Sequence, residues 1–375
     1  MTQHIDVFKL PCKGPADLSA AQALLDAGLL RAQDIVAVLG KTEGNGCVND
    51  FTRDYATRAW CDLLAPHLGI SSTAVHARVA LVMSGGTEGV LAPHFTVFAR
   101  RHDDAAAGAN KRLAVGVAFT RDFLPEELGR LAQVRATQDA VRSAMADAGI
   151  EDASDVHFVQ IKCPLLTAEK IRAAQERGVD TVTHDTYESM GASRAASALG
   201  VACALGEIDA STLRDEHIQR DWSLYSTVAS TSSGIELDNN VLVVLGMSRH
   251  ARSDYVIAHG QMRDAIDVAG VRHCLRDNFG IDPDTQAALL RERFVNVFAK
   301  AEASPDGQLR GARHTMLNDS DINATRHARA AVGAALASVL GDTALYVSGG
   351  AEHQGPAGGG PFALIMKAQD SDTSN

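Results

Sequence analysis

Three sequence markers recur in the same order three times along the 375 residues, and this repetition constrains the fold more than any other feature. The first marker is a lysine that ends an apolar run, and the second is an arginine near the start of an Ala-rich stretch. The third is a serine followed by a small residue, with a glutamate four positions after the serine. The markers are Lys41, Arg53 and Ser84; Lys162, Arg194 and Ser232; and Lys300, Arg326 and Ser348. Each marker is common singly, so the ordered recurrence is what indicates a threefold duplication.

The runs around the markers predict the elements of one unit. Short runs rich in β-branched and aromatic residues, such as IVAVLGK, VHFVQIK and FVNVFAK, are typical of strands. The order within each unit is then β-α-β-α-β-β, with the lysine, arginine and serine on the second strand, second helix and third strand. Polar stretches at 101–111 and 249–254 predict three units, 1–104, 112–250 and 254–375. We expect an α/β (α+β) fold of three equivalent units around a pseudo-threefold axis, with a central β-barrel-like core and outer helices.

Composition excludes several classes of function. The formal net charge is −11 and no basic run occurs, so we expect no nucleic-acid partner and no anionic membrane partner. The six cysteines are scattered without a CxxC pair, and this spacing favours a reduced, cytoplasmic protein. No signal peptide is visible, and no apolar run is long enough to span a bilayer.

Four segments carry a family resemblance that extends over the whole chain: KTEGNG, SGGTEG, SSGIE and SGGAEHQGPAGGGP. They resemble the cyanuric acid hydrolase and barbiturase family, whose members place three equivalent units around one central active site. The resemblance implies hydrolytic ring opening of a cyclic amide. With cyanuric acid as the substrate, the expected product is carboxybiuret, which then loses carbon dioxide to give biuret. The resemblance also implies a homotetramer.

A ring with three equivalent carbonyls suits three equivalent sets of donors. Each serine hydroxyl and the following backbone N–H can donate to one carbonyl oxygen, and the arginines and lysines add fixed positive charge. The expected substrate-binding residues are Lys41, Arg53, Ser84, Gly85, Arg194, Ser232, Ser233, Lys300, Arg326, Ser348 and Gly349.

Amide hydrolysis needs a nucleophile and a base, and the sequence has neither an HExxH motif nor an evident Ser-His-Asp pattern. A serine activated by a neutral lysine is the remaining economical choice. Lys41 and Lys300 are each followed two residues later by glutamate, whereas Lys162 precedes Cys163. We therefore predict that Lys162 is free of a nearby carboxylate and acts as the base, with Ser232 as nucleophile; the resemblance implies the same pair. Adjacent Ser233 is the competing nucleophile.

The Gly- and Pro-rich segment after Ser348 is either a plain loop or a cation site. The resemblance implies a structural Mg²⁺ or Ca²⁺, which oxygen ligands suit, and no cofactor for catalysis. The expected ligands are Glu302, Ala351, Gln354, Gly355, Pro356 and Gly359.

Three alternative functions stay open at this stage. A barbiturase would use the same residues on a ring in which a methylene replaces one N–H. An amidase-signature enzyme also pairs a lysine with adjacent serines, but the segment TVAS before Ser232 lacks the glycines that such enzymes carry. A repeat protein that binds a cyclic imide or anion without turnover is the alternative from a different class.

Overall fold

The computed structural model describes residues 2–104 and 106–369, and its helices and strands follow the predicted order three times. The first segment contains strands β1 (Thr2–Pro11), β2 (Ile35–Thr42), β3 (Ala80–Gly85) and β4 (His94–Asp103), with helices α1 (Ser19–Asp26), α2 (Phe51–Leu68) and α3 (Ser72–Val75). Helix α2 begins where the Asp50 side chain accepts from the Thr52 N–H, and it ends at Gly69, whose φ of 65° suits a residue without a Cβ.

The second segment repeats this plan with longer helices. It contains strands β5 (Arg112–Phe119), β6 (Val156–Pro164), β7 (Ala229–Gly234), β8 (Val241–Ser248) and β9 (Ala251–Ser253), with helices α4 (Leu131–Asp147), α5 (Ala168–Glu176) and α6 (Thr186–Ala204). Helix α6 carries Arg194 and is buried over most of its length, because its small side chains allow close packing on all sides.

The third segment has the same general order of strands and helices. It contains strands β10 (Tyr255–Met262), β11 (Phe294–Ala301), β12 (Gln308–Leu309), β13 (Ala312–Arg313), β14 (Tyr346–Gly349) and β15 (Gly360–Lys367), with helices α7 (Val268–Phe279), α8 (Ala287–Arg293) and α9 (Ala324–Leu340). Within residues 2–104 and 106–369, no helix is both long and apolar enough to cross a membrane.

One strand order recurs in the three main sheets. The orders are β3-β2-β4-β1, β7-β6-β8-β5 and β14-β11-β15-β10, so the strand with the marker serine is always an edge strand beside the strand with the marker lysine. Each set of four strands comes from one of the three expected units. The short strand β9 pairs with β1 and joins the second segment to the first sheet.

The sheets share one apolar core, but the described strands do not close into a barrel. Side chains from all three sheets, including Phe98, Phe158 and Phe298, form a single buried cluster. The opposite sheet faces pack against the helices, for example through Trp60 of α2. The barrel-like core expected from sequence is therefore wrong in its closure: three open sheets meet through side chains rather than through continuous backbone hydrogen bonds.

Candidate active site

Strand register places each marker lysine beside its marker serine. The two strands run parallel in every sheet, and the paired residues are Lys41 with Ser84, Lys162 with Ser232, and Lys300 with Ser348. All three lysines are at most 1% exposed. Three amines and three hydroxyls therefore lie at corresponding places in the three sheets.

The three marker serines and Lys162 line one small pocket, while Lys41 and Lys300 lie behind their serines. Only about 20 Å³ of it is open to the centres of water molecules, roughly the space that one water needs. The lining residues come from all three segments: Gly46, Arg53, Ser84, Gly85, Lys162, Met190, Arg194, Ser232, Ser233, Arg329, Ser348 and Gly349.

Two of the three lysine–serine pairs are joined by hydrogen bonds. Lys41 Nζ lies 3.1 Å from Ser84 Oγ, and Lys300 Nζ lies 3.2 Å from Ser348 Oγ. Each of these lysines also donates to the carbonyl oxygen of the residue after its serine, at 3.1 Å. In both pairs the lysine holds the serine hydroxyl in place.

The third pair has a different arrangement. Lys162 Nζ donates to the carbonyl oxygens of Met83, at 2.8 Å, and Ser233, at 3.3 Å, and lies 3.3 Å from Glu236 Oε1. The buried Oγ of Ser232 has no hydrogen-bond partner among the described residues. Ser232 is thus the marker serine whose hydroxyl is not held by its lysine, which sets it apart from Ser84 and Ser348.

The contact with Glu236 corrects one expectation from sequence. Lys162 was expected to lack a carboxylate because none follows it closely in the chain, but Glu236 reaches it from the loop after Ser232. Conversely, Glu43 after Lys41 is exposed, and Glu302 after Lys300 accepts from the Ala351 N–H at 2.8 Å. A carboxylate two residues after the lysine therefore does not determine which lysine is paired.

Burial makes all three lysines weaker bases than a free amine. It lowers the pKa of Lys162 to about 8, against an opposing effect of Glu236. Burial, aided by the charge of Arg194, lowers the pKa of Lys300 to about 7. The pKa of Lys41 is also lowered well below its ordinary value, by burial first and by Arg329 second. Each lysine can thus shed its proton far more readily than an exposed one.

The third arginine of the pocket is Arg329 rather than the predicted Arg326. Arg53, Arg194 and Arg329 line the pocket, whereas the Arg326 side chain is 36% exposed and lies outside it. The reason is helix phase: α9 starts at Ala324, and Arg329 is the arginine that the helix turns inward.

Each marker glutamate holds a positive charge at the pocket wall. Glu88 pairs with Arg329 through contacts of 2.6 and 2.8 Å, and Glu352 pairs with Arg194 at the same two distances. Glu236 instead pairs with Lys162. These glutamates were not among the expected site residues, although their fixed position four residues after each serine is the signal that could have found them.

The remaining arginine contacts leave donors available for a ligand. Arg53 donates to the carbonyl oxygens of Ser233, at 3.2 Å, and Cys47, at 2.9 Å, while its buried Nε has no partner among the described residues. Arg194 Nη1 donates to Ser233 Oγ at 3.1 Å. Ser233, the competing nucleophile, therefore has a committed hydroxyl.

Of the expected cation ligands, Ala351 contacts Glu302 directly, and the Gln354 N–H donates to the Ala351 carbonyl oxygen. Gln354 accepts from the Thr231 N–H at 2.7 Å and donates to the carbonyl oxygens of Gly350 and Glu352, so it ties strand β7 to the loop. Among the described residues, no group of three or more His, Cys, Asp or Glu side chains forms a ligand cluster. Any cation there would depend on carbonyl oxygens, including those of the expected loop positions Ala351, Gly355, Pro356 and Gly359.

Comparisons with known proteins agree with this arrangement. The family model of amidohydrolase ring-opening proteins matches residues 6–367. The cyanuric acid amidohydrolase of Pseudomonas sp. (strain ADP) is 60% identical over 97% of this chain and 99% of its own, and that of Enterobacter cloacae is 59% identical over 96% and 98%. A solved cyanuric acid hydrolase superposes with a TM-score of 0.93 at 59% identity, covering 98% of this chain and 100% of the other. A cyanuric acid hydrolase from A. caulinodans gives 0.87 at 50% identity, covering 97% and 98%. The chain is therefore an enzyme of the ring-opening amidohydrolase family, whose members cleave amide bonds.

Proposed function

We propose that this enzyme hydrolyses cyanuric acid to carboxybiuret, with Ser232 as the nucleophile and Lys162 as the base. The observation that carries the assignment is the uncommitted hydroxyl of Ser232, because Ser84 and Ser348 are each held by a lysine. The relatives named above are cyanuric acid amidohydrolases, which supports this substrate.

The ring is proposed to bind with one carbonyl oxygen toward each serine. The three units would then surround a pseudo-threefold axis through the ring. The donors are the serine hydroxyls and the N–H groups of the residues that follow them, with three arginines around the ring edge. Such a small, polar pocket suits a compact ring rather than an extended substrate. The residues proposed to bind the ring are Arg53, Ser84, Gly85, Arg194, Ser232, Ser233, Arg329, Ser348 and Gly349, with Lys41 and Lys300 behind their serines.

The reaction begins when neutral Lys162 takes the proton of Ser232. The serine oxygen attacks a ring carbonyl carbon, and the N–H donors stabilise the negative charge that develops on the carbonyl oxygen. The C–N bond breaks as Lys162 returns the proton to the ring nitrogen. Water then attacks the acyl-serine with Lys162 again as base, which releases carboxybiuret and restores the serine. Carboxybiuret loses carbon dioxide without the enzyme and becomes biuret.

Glu236 adds a step that the sequence did not suggest. Its carboxylate stabilises the ammonium group that forms when Lys162 takes the serine proton, much as the aspartate does for histidine in a catalytic triad. Lys162 forms no direct bond to Ser232 before substrate binds, and such catalytic contacts commonly tighten only with substrate present.

Glu236→Gln is expected to move the acidic limb of the pH profile of kcat/KM to lower pH. The base must be neutral, so activity falls as the pH drops below the pKa of Lys162, about 8. The negative charge of Glu236 raises this pKa, and its removal lowers it further. Profiles of both proteins test this, with Glu88→Gln as the control because Glu88 pairs with Arg329 instead. If the acidic limb of the Glu236→Gln profile stays at the same pH or moves to higher pH, the role given to Glu236 is contradicted.

Arg329→Lys is expected to lower kcat/KM by about 10²-fold, because a lysine cannot reproduce the fixed, forked donors of arginine. Arg326→Lys is the matched control: it makes the same change three residues away on the same helix, outside the pocket, and a lysine there keeps the positive charge that contacts Glu88. We expect it to change kcat/KM by less than about twofold, as surface substitutions commonly do. If both variants lost kcat/KM equally, Arg326 would also have to be counted among the substrate-binding residues.

Product analysis with cyanuric acid and barbituric acid tests the substrate. We expect biuret and carbon dioxide from cyanuric acid and little reaction with barbituric acid. Preference for barbituric acid would assign the sister activity with the same residues. Tight binding of either ring without hydrolysis would overturn the proposed reaction.

A divalent cation is proposed to brace the loop after Ser348 rather than to take part in the chemistry. Glu302 fits such a site, because burial and the nearby charge of Glu352 raise its pKa to about 6, and a cation would relieve that repulsion. Mg²⁺ or Ca²⁺ would be held by Glu302, the Gln354 oxygen and loop carbonyls. Chelator is expected to lower the melting temperature while turnover at 25 °C persists; loss of turnover without loss of stability would contradict the bracing role.

A homotetramer, as the family resemblance implies, and a cytoplasmic location, as the scattered cysteines indicate, complete the proposal. Sedimentation equilibrium of the purified protein tests the oligomeric state.

A further inference from the structure

A second, larger cavity adjoins the active-site pocket and shares one of its walls. About 720 Å³ of this outer cavity is open to the centres of water molecules, against about 20 Å³ in the inner pocket. Its lining includes Arg130, Glu188 and Ala324. Arg194 is the residue that lines both spaces, while Glu352 lines the outer one.

The polar lining of the inner pocket suits the ring, but its free space in this structure is smaller than the ring. Its free space holds about one water, and a six-membered ring with three carbonyl groups is several times larger. Two of its three arginines are only 2% exposed, whereas the Arg194 side chain is 12% exposed. Arg194 is therefore the pocket arginine that faces the larger cavity, and its displacement would join the two spaces.

The contacts of Arg194 span the wall between the two spaces. On the inner side Nη1 donates to Ser233 Oγ at 3.1 Å, and on the outer side Nε and Nη2 donate to Glu352 at 2.8 and 2.6 Å. Two glycines, which lack a Cβ, provide the space that this ion pair occupies. A Cβ on Gly350 would come within 2.6 Å of Arg194 Nε, and one on Gly191 would come within 3.1 Å of Glu352 Oε1.

We propose that the outer cavity is the route by which the cyclic amide reaches the active site, and that the Arg194–Glu352 pair is the gate between them. The gate opens when the pair leaves the common wall. It closes when Arg194 turns its guanidinium back to the carbonyl edge of the bound ring. This proposal rests on the proposed function, because it needs a planar, polar ring as the ligand.

Obstruction of the outer cavity tests the proposal. A bulky side chain in the access route should change the rates at which the ligand binds and leaves, but not its affinity for the active site. Ala324→Trp would fill part of the outer cavity without contacting the inner pocket. Radiolabelled cyanuric acid is bound to Ser232→Ala, with and without Ala324→Trp, and its release is followed after a chase with unlabelled ligand. Equilibrium dialysis gives Kd for the same proteins.

We expect Ala324→Trp to slow release by about tenfold, since access controls binding kinetics, with Kd unchanged within about twofold. Ala23→Trp, on the exposed face of α1 and outside both cavities, is the control and should change neither quantity. If Ala324→Trp folds poorly, Glu188→Trp places the same obstruction at an exposed position of the same cavity. Glu352→Gln, which weakens the gate, should speed release.

The outcomes separate this proposal from the proposed function. Hydrolysis of cyanuric acid by the wild-type enzyme, together with unchanged release in both tryptophan variants, would overturn the gate alone. It would place the opening elsewhere, for example beside Gly46. Absence of hydrolysis and of binding would overturn the proposed function and the gate with it.

Discussion

Replacement of Ser232 by alanine is expected to lower kcat for cyanuric acid hydrolysis by about 10⁴-fold or more, because the variant lacks the hydroxyl proposed to form the acyl intermediate. KM should change little, since the remaining donors still hold the ring. The basis is the difference between the three marker serines: Ser84 and Ser348 accept from lysines, while Ser232 has no partner among the described residues. Steady-state kinetics, with biuret as the measured product, test this.

Three further alanine variants make the test specific. Ser84→Ala and Ser348→Ala remove donors from the other two walls, so we expect them to raise KM and to keep more of kcat than Ser232→Ala does. Ser233→Ala removes the competing nucleophile, whose hydroxyl accepts from Arg194. If Ser233→Ala were the variant without turnover, the nucleophile would have to be reassigned to Ser233.

Lys162→Met is expected to lower kcat by about 10³-fold, within the usual contribution of a general base. Its pKa of about 8 allows a useful neutral fraction near that pH, and parallel strands place it beside Ser232. The variant should also lose the pH dependence that the lysine causes between about pH 7 and 9. Rate profiles across this range measure both effects.

The same change leaves Glu236 buried without its partner, which by itself destabilises the fold. The double variant Lys162→Met with Glu236→Gln removes that charge and separates catalysis from stability. We expect it to recover melting temperature but not turnover. If the double variant recovered turnover, Lys162 would have only a structural role, and Lys300, with a pKa of about 7, would be the next candidate.

The sequence predicted those features that depend on short-range pattern. The sequence predicted that Lys162 and Ser232 lie on strands. The parallel pairing of these strands places the two residues side by side. The caps Asp50 and Asn323 are equally local features of α2 and α9, because short polar side chains satisfy the first free N–H groups of a helix.

Features that depend on packing between segments could not be predicted in this way. Arg329 rather than Arg326 reaches the pocket because the angle of α9 is set by its contacts with the sheets, which no local pattern encodes. Glu236 contacts Lys162 although 74 positions separate them in the sequence. A search for carboxylates close to each lysine in the sequence therefore missed it. Barrel closure likewise depends on strand pairing between segments, and the sequence carries no register for it.

Two of the three salt bridges that the marker glutamates form cross between segments, and this affects how such a site can change. Glu88 of the first segment holds Arg329 of the third, and Glu352 of the third holds Arg194 of the second. Three separate identical chains could form the same ring of contacts, but any substitution would then appear three times and the site would dissociate on dilution. One continuous chain is free of both limits. In it, one serine can be free of its lysine while the other two pairs hold the ligand. A symmetric trimer of identical chains could not have one pair that differs from the other two.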